Sequence, residues 1–263
     1  MGPLFWEKKE KRPYARLIPF IGFFALLGIW DCLARFSGWS RQVFPGPLEV
    51  LMSMGELVAN GMLVKHTVAS LFRVTVGFYL AAVLGIPLGI ILGMSKNTRL
   101  LINPLIQFLR PISPLAWIPL AMLWFGIGDP PAIFLIFLSS FFPLAVSTTI
   151  AVEGINPTYF YVAANFNFSR SEVITKLIIP AIIPEVVTAL RMTVTISWLV
   201  VVAAEMIAVQ SGLGFLILDS RNALRMDYVM DGMIVIGVVG LTLDHLMRQL
   251  GSIDAASWRQ ISH

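Results

Sequence analysis

The sequence predicts an all-α membrane protein with about six transmembrane helices. Three observations lead there. The chain is 57% hydrophobic and only 13% charged, against about a quarter charged residues in soluble domains. Its mean hydropathy is +0.81. Apolar runs of spanning length alternate with short polar segments that carry most of the basic residues, the arrangement a bilayer imposes on a helical protein. The net charge of +4 therefore reports topology and not a nucleic-acid footprint. No long polar stretch is available for a soluble catalytic domain. Cys32 is the single cysteine, so an intrachain disulfide is excluded.

Residues 1–16 hold Lys8, Lys9, Lys11, Arg12 and Arg16 and read as a cytoplasmic N-terminal segment. The apolar run 17–36 is long enough to span a bilayer. It exceeds the usual core of a signal peptide and no small-x-small cleavage site follows, so it reads as an uncleaved first helix. After Pro45-Gly46-Pro47, the residues Leu48, Leu51, Met52, Leu57 and Val58 predict an interfacial amphipathic helix. The second span is 68–94, where Gly85, Gly89 and Gly93 repeat at the four-residue spacing that lets helices approach closely. Lys96 and Arg99 mark a turn. The third span, 100–125, contains Pro104, Pro111, Pro114 and Pro119 and is expected to bend. The fourth span is 132–152, the fifth 186–209, and a weaker sixth runs over 230–247. An outer loop, 210–228, carries Arg221 and Arg225.

Between spans four and five lies a patterned polar insert, 156–184. Asn156-Pro157 is a helix-start signal, since Asn caps and Pro fits the first helical position. A short helix through Tyr159, Val162, Ala163 and Phe166 would stop at Asn167, a residue able to take left-handed backbone. Ser169 and Glu172 have capping-box spacing and restart a second helix, which Pro180 and Pro184 should kink before the next span. Two readings are open from the pattern alone. One is a rigid knob that plugs into another protein, the other an amphipathic connector on the bilayer surface.

Charge placement orients the chain. Lys96, Arg99, Arg110, Arg170, Lys176, Arg191, Arg248 and Arg259 join the N-terminal cluster on the cytoplasmic side, with Arg35, Arg41, Lys65, Arg73, Arg221 and Arg225 outside. Both termini and the insert are then cytoplasmic.

Several chemistries are absent. There is no phosphate-binding G-x-x-x-x-G-K-[ST] loop and no H-E-x-x-H. His66, His245 and His263 are scattered, which argues against a metal site and against Ser-His-Asp catalysis. A proton-coupled carrier should hold ionisable groups deep in its spans, whereas Arg73, Glu205 and Asp244 fall near predicted span ends. No inverted repeat is visible. The residues leave a membrane pore-former energised from elsewhere, and not an enzyme. A secondary carrier or channel stays open as the alternative.

The insert resembles the EAA loop of ABC-importer permeases. Counting back from Pro180 places Leu177 at the family's aliphatic position, Asn167 at its glycine, and Tyr161, Val162 and Ala163 at its Glu-Ala-Ala. The glutamate and glycine are thus both replaced. The wider chain resembles the nitrate/sulfonate/taurine/bicarbonate permeases. The stretches that carry this include Gly85-Ile86-Pro87-Leu88-Gly89, Leu109-Arg110-Pro111, Ala116-Trp117-Ile118-Pro119, Trp124-Phe125-Gly126-Ile127-Gly128, Ala203-Ala204-Glu205-Met206 and Ser211-Gly212-Leu213-Gly214.

That resemblance implies a type I ABC importer permease fold, a single transmembrane domain over 1–263 with a cytoplasmic coupling loop at 153–185. It implies ATPase subunits carrying ATP and Mg, a second permease copy (a homodimer), and an extracytoplasmic substrate-binding protein, with no cofactor in this chain. The ATPase would dock on Tyr161, Val162, Ala163, Ala164, Asn167, Ser169, Glu172, Leu177 and Pro180. The cargo would be a small oxyanion: nitrate, nitrite or bicarbonate ahead of sulfonate or taurine. Oxyanions need donors and positive ends of dipoles, so the candidate pathway residues are Arg110, Ser113, Trp117, Ser139, Ser197, Trp198 and Glu205.

Overall fold

A computed structural model describes residues 18–36, 38–40 and 42–258, and side chains from 20 to 249 within them. The basic cluster of the N-terminal segment, Arg41 and the last residues from Arg259 lie outside the described residues. Among those described, every regular element is helical. The order is α1 (Ile18–Phe36), α2 (Pro47–Ala59), α3 (Met62–Met94), α4 (Lys96–Leu109), a 3-10 turn (Pro114–Trp117), α5 (Ile118–Phe125), α6 (Asp129–Glu153), α7 (Pro157–Asn165), α8 (Arg170–Glu172), a π-helical turn (Val173–Ile178), α9 (Ile179–Ala208), α10 (Leu213–Asn222) and α11 (Met226–Trp258).

Four of the described helical stretches are long and apolar enough to cross a membrane: α3, α6, the continuous run Arg170–Ala208, and Met226–Gln249 of α11. The pair α4 and α5 makes a fifth if it is counted as one broken span. The 19-residue α1 begins at the edge of the described residues and is about 28 Å long at 1.5 Å per residue.

The core is α3, α6 and α9. The helices α3 and α6 run parallel and pack through a seam of small residues, as the glycine spacing predicts. A Cβ on Gly77 would lie 2.8 Å from the Ile133 carbonyl oxygen, one on Gly89 2.5 Å from Thr148 Cβ, and one on Gly93 2.5 Å from Val152 Cβ. Only glycine allows this approach, and close packing is the main force between helices in lipid. Antiparallel α9 closes the other face of α6, where Ser140 and Ser197 hydroxyls meet at 2.6 Å. Next along is α11, where Trp198 Nε1 donates to the Ile236 carbonyl at 3.0 Å and Arg191 pairs with Asp244 at 3.1 Å.

Four expectations need correction. The third span is not one bent helix. It breaks after Leu109, and its two parts meet at 87°. Pro111 and Pro114 both remove donors at the break and bias the residues before them away from helical backbone. Pro104 stays inside α4 and Pro119 sits in the first turn of α5. The knob's second helix is not separate from span five. Residues 170–208 form one continuous helix, because the π turn over Val173–Ile178 lies just ahead of Pro180 and widens the helix where the proline ring would strike the carbonyl of Lys176. The outer loop contains the docked helix α10, whose Leu213 and Leu216 are buried. Finally, α2 buries Val50, Ser53 and Leu57, while Leu48, Leu51, Met52 and Val58 face outward. Ser53 donates to Asp231 of α11 at 2.7 Å.

Candidate translocation groove and coupling loop

The coupling loop is built from local chemistry. The Asn156 side chain accepts from Thr158 N at 2.9 Å, and Pro157 opens α7. At the other end Asn167 takes φ +52°. Phe168 N donates to the Ala163 carbonyl and Asn167 N to the Ala164 carbonyl, the paired bonds of a Schellman stop with Asn in glycine's place. The chain restarts at once. Ser169 N donates to Glu172 at 3.0 Å, Glu172 N to Ser169 Oγ at 3.3 Å, and Lys176 reaches back to Glu172 at 2.8 Å. The result is a short helix held at a set angle to α9, with no slack at the joint.

The predicted docking residues separate into two groups. Tyr161 is 71% exposed, and Val162, Ala164, Asn167 and Ser169 also face out, together with Phe166. Ala163 is 5% exposed, so it seats the knob and does not form its surface. Leu177 and Pro180 are half-buried at the root, where Ile178, Ile182 and Val152 form a small core. The root of the knob thus packs directly against α6 and α9.

Above the knob, α6 and α9 border a cavity of about 750 Å³ lined by Ser147, Ile150, Tyr159, Glu185, Thr188 and Met192, among others. A second hollow of about 190 Å³ lies further along the same two helices. Arg110, Trp117, Ser139, Phe142, Ile196 and Val200 contribute to its wall. Three predicted pathway residues from three separate elements are therefore brought together: Arg110 from the helix break, Trp117 from the 3-10 turn and Ser139 from α6. Ser113 is exposed beside them at the break, without lining the hollow.

Arg110 was expected at the inner surface, and the structure corrects this. It lies at the level of Ser139 and Phe142, midway along α6, because α4 climbs 14 residues from Lys96 before the break. Among the described residues its guanidinium makes no hydrogen bond or ion pair. An unpaired arginine at such depth is expensive unless a cavity or ligand receives it.

Ser197, Trp198 and Glu205 do not join this group. Ser197 bonds Ser140 and the Thr193 carbonyl inside the α6–α9 contact. Trp198 is 4% exposed under Gly240. Glu205 is fully buried at the opposite end of the bundle from the knob, held by Arg73, Ser70 Oγ and Gly214 N. All three are consumed by packing. Glu185 and Thr188 were missed: Glu185 fell between the polar insert and the fifth span, and Thr188 was taken as part of that apolar span. Their spacing to Met192 and Ile196 on α9 was the available signal.

Residues 85–252 match the family model described as the binding-protein-dependent transport system inner membrane component. A putative ABC transporter permease protein of Methanocaldococcus jannaschii is 40% identical over 227 residues, covering 84% of this chain and 85% of that one. A putative aliphatic sulfonates transport permease of Bacillus subtilis is 35% identical, with 86% and 82% covered. A nitrate import permease of Synechocystis is also 35% identical, with 89% and 88% covered. Among solved structures, an inward-facing form of the MetNI methionine ABC transporter aligns with TM-score 0.65 at 15% identity, over 73% of this chain and 96% of that one. At that identity the likeness concerns the fold.

Proposed function

Because this chain belongs to the binding-protein-dependent transport system inner membrane component family, we propose that it forms the pathway of an ATP-driven importer for a small oxyanion. Relatives named for nitrate and for aliphatic sulfonates share one cargo chemistry, a delocalised anionic group with several acceptor oxygens. Nitrate, nitrite and bicarbonate rank ahead of sulfonates on the resemblance of the Tyr161-Val162-Ala163 stretch, since a hollow of about 190 Å³ admits any of them. The observation that carries the oxyanion reading is Arg110: a guanidinium midway through the bundle, without a protein partner among the described residues, facing a hollow shared with Trp117 and Ser139. A planar guanidinium matches an oxyanion bidentately, and the indole N–H and the hydroxyl supply further donors.

In this reading two copies of the chain face each other across the groove. ATPase subunits carrying ATP and Mg grip the knobs through Tyr161, Val162, Ala164 and Phe166, and a binding protein loads the opposite end. The knob and both termini are cytoplasmic. ATP-driven approach of the two ATPases moves the knobs, and the rigid joint to α9 passes that motion to the groove wall. This is a two-state element biased by ligand.

The test is co-purification and uptake. The chain is purified with its genomic neighbours from detergent, as wild type and as Tyr161→Asp. It is then reconstituted with labelled nitrate, bicarbonate or taurine, with and without ATP. The proposal expects an ATPase to accompany wild type, to be lost in the variant, and uptake to require ATP and a binding protein. Uptake by the chain alone, down a gradient, would replace it with a secondary carrier.

A further inference from the structure

The helix α4 carries a polar stripe that neither the coupling loop nor the hollow at Arg110 accounts for. Arg99, Asn103, Gln107 and Arg110 follow one another at spacings of four, four and three residues, so they share one face over the whole helix. The opposite face is apolar and open, with Leu101 79% and Phe108 72% exposed. An apolar face of this kind suits lipid. The polar face borders α6: Arg99, Asn103 and Gln107 line a hollow of about 180 Å³ against Val146, Thr149 and Glu153, with Asn103 half-buried and Gln107 and Arg110 exposed. Ile150 borders both this hollow and the large cavity above the knob. Arg99 closes the end of the stripe in an ion pair with Glu153, the two side chains 33% and 37% exposed.

Polar side chains at membrane depth are retained where they face a cavity or a route. The side-chain amides of Asn103 and Gln107 have no hydrogen-bond partner among the described residues. Between Arg110 and Arg99 the helix rises about 16 Å at 1.5 Å per residue. The unpaired Arg110 guanidinium, followed by two amides and ending at the paired Arg99, forms a series in which the donors weaken along the helix. That is the arrangement which lets an ion move on without being trapped.

We infer that the Asn103–Gln107 face of α4 is the inner half of the anion route, connecting Arg110 to the coupling-loop end and terminating at the Arg99–Glu153 pair. This rests on the oxyanion reading above, which it deepens by naming residues beyond the hollow. Asn103 and Gln107 act there as specificity-determining donors.

Cysteine accessibility tests it. Cys32 is the chain's single cysteine, so Cys32→Ala gives a silent background. Asn103→Cys and Gln107→Cys are compared with Leu101→Cys and Phe108→Cys on the other face, in vesicles holding the complete transporter. A sulfonate-bearing and a trimethylammonium-bearing thiol reagent of similar size are added on the coupling-loop side. The inference expects the stripe cysteines to react at least about tenfold faster than the lipid-facing pair, to prefer the sulfonate reagent, and to be slowed by nitrate or bicarbonate. General misfolding would expose all four positions and is recognised by that. Silent stripe cysteines overturn the inference and leave the oxyanion reading standing on uptake. Stripe cysteines that react equally with the cation overturn the oxyanion reading and with it this route for anions.

Discussion

Arg73 of α3 and Glu205 of α9 meet at 2.5 Å, with side chains 1% and 0% exposed. The remaining Arg73 donors reach Asp129 at the start of α6 at 2.7 Å and the Ser211 hydroxyl before α10. Glu205 also accepts from Ser70 at 2.8 Å and from Gly214 N at 3.0 Å. One buried pair thus ties α3, α6, α9 and the α10 loop together at the end of the bundle away from the knob. Gly212, at φ +104°, lets the backbone pass directly against the Glu205 carboxylate, where any Cβ would overlap it. Removing one partner leaves a buried uncompensated charge, which costs about 3–5 kcal/mol. Glu205→Ala and Arg73→Ala should each sharply lower the unfolding temperature in detergent. The double variant Arg73→Met/Glu205→Leu should recover part of the loss. Equal stability of the single variants and wild type would show that the pair contributes nothing.

The seam between α3 and α6 makes an independent prediction. Gly89→Val should destabilise the bundle by about 1–3 kcal/mol or more, since overpacking must push Thr148 and the Ala145 carbonyl aside. Gly55→Ala in α2 serves as the contrast. It meets no atom within 4 Å and should be neutral or stabilising by about 0.5–1 kcal/mol. Thermal unfolding in one detergent, with yield of folded protein alongside, distinguishes the two.

What the sequence made legible follows from how local each cause is. The stop at Asn167 and the restart at Ser169–Glu172 depend on neighbours within five residues, so pattern and structure agree there. The glycine spacing in α3 likewise announced a close contact, though not that its partner was α6. Arg110 was misplaced because its depth depends on where α4 starts and on the break after Leu109, and a hydropathy run through four prolines conceals both. Glu205 was read as a pathway candidate because its partners Ser70 and Arg73 are distant in sequence. The pairing appears only once three helices are assembled. The hollow at Arg110 shows the same dependence: its chemistry was visible residue by residue, but not that Arg110, Trp117 and Ser139 converge while Ser197 and Trp198 do not.

The coupling loop should tolerate one substitution at the polar residue that stops its first helix. Asn167 holds φ +52°, so Asn167→Gly should preserve the knob, while Asn167→Val must bear about 1–2 kcal/mol of backbone strain. The expected outcome is ATPase co-purification retained in the glycine variant and weakened roughly 5- to 30-fold in the valine variant, the fold-change that this energy corresponds to. Bundle stability should stay unchanged in both, because Asn167 is exposed. Equal ATPase binding by both variants would mean that the loop's geometry is not what the partner reads.

Arg110 offers the sharpest division between transport and assembly. It lies midway along the groove, far from the knob, and no described side chain depends on it. Replacing it should therefore leave both the fold and ATPase docking intact. Arg110→Gln removes the charge and the paired donors. A charge-assisted hydrogen bond contributes about 1.5–3 kcal/mol, so uptake at low substrate should fall roughly 10- to 150-fold. Arg110→Lys keeps the charge and loses the planar fork, and should fall between the two, with its relative rates for nitrate and sulfonate changed because the geometry of recognition has changed. The measurement is ATP-dependent uptake in proteoliposomes at several substrate concentrations, together with ATP hydrolysis. Uptake lost while hydrolysis persists locates Arg110 on the cargo's route. Uptake and hydrolysis lost together, with the subunits still associated, would make it a coupling residue. Undiminished uptake in Arg110→Gln would remove the observation on which the oxyanion reading rests.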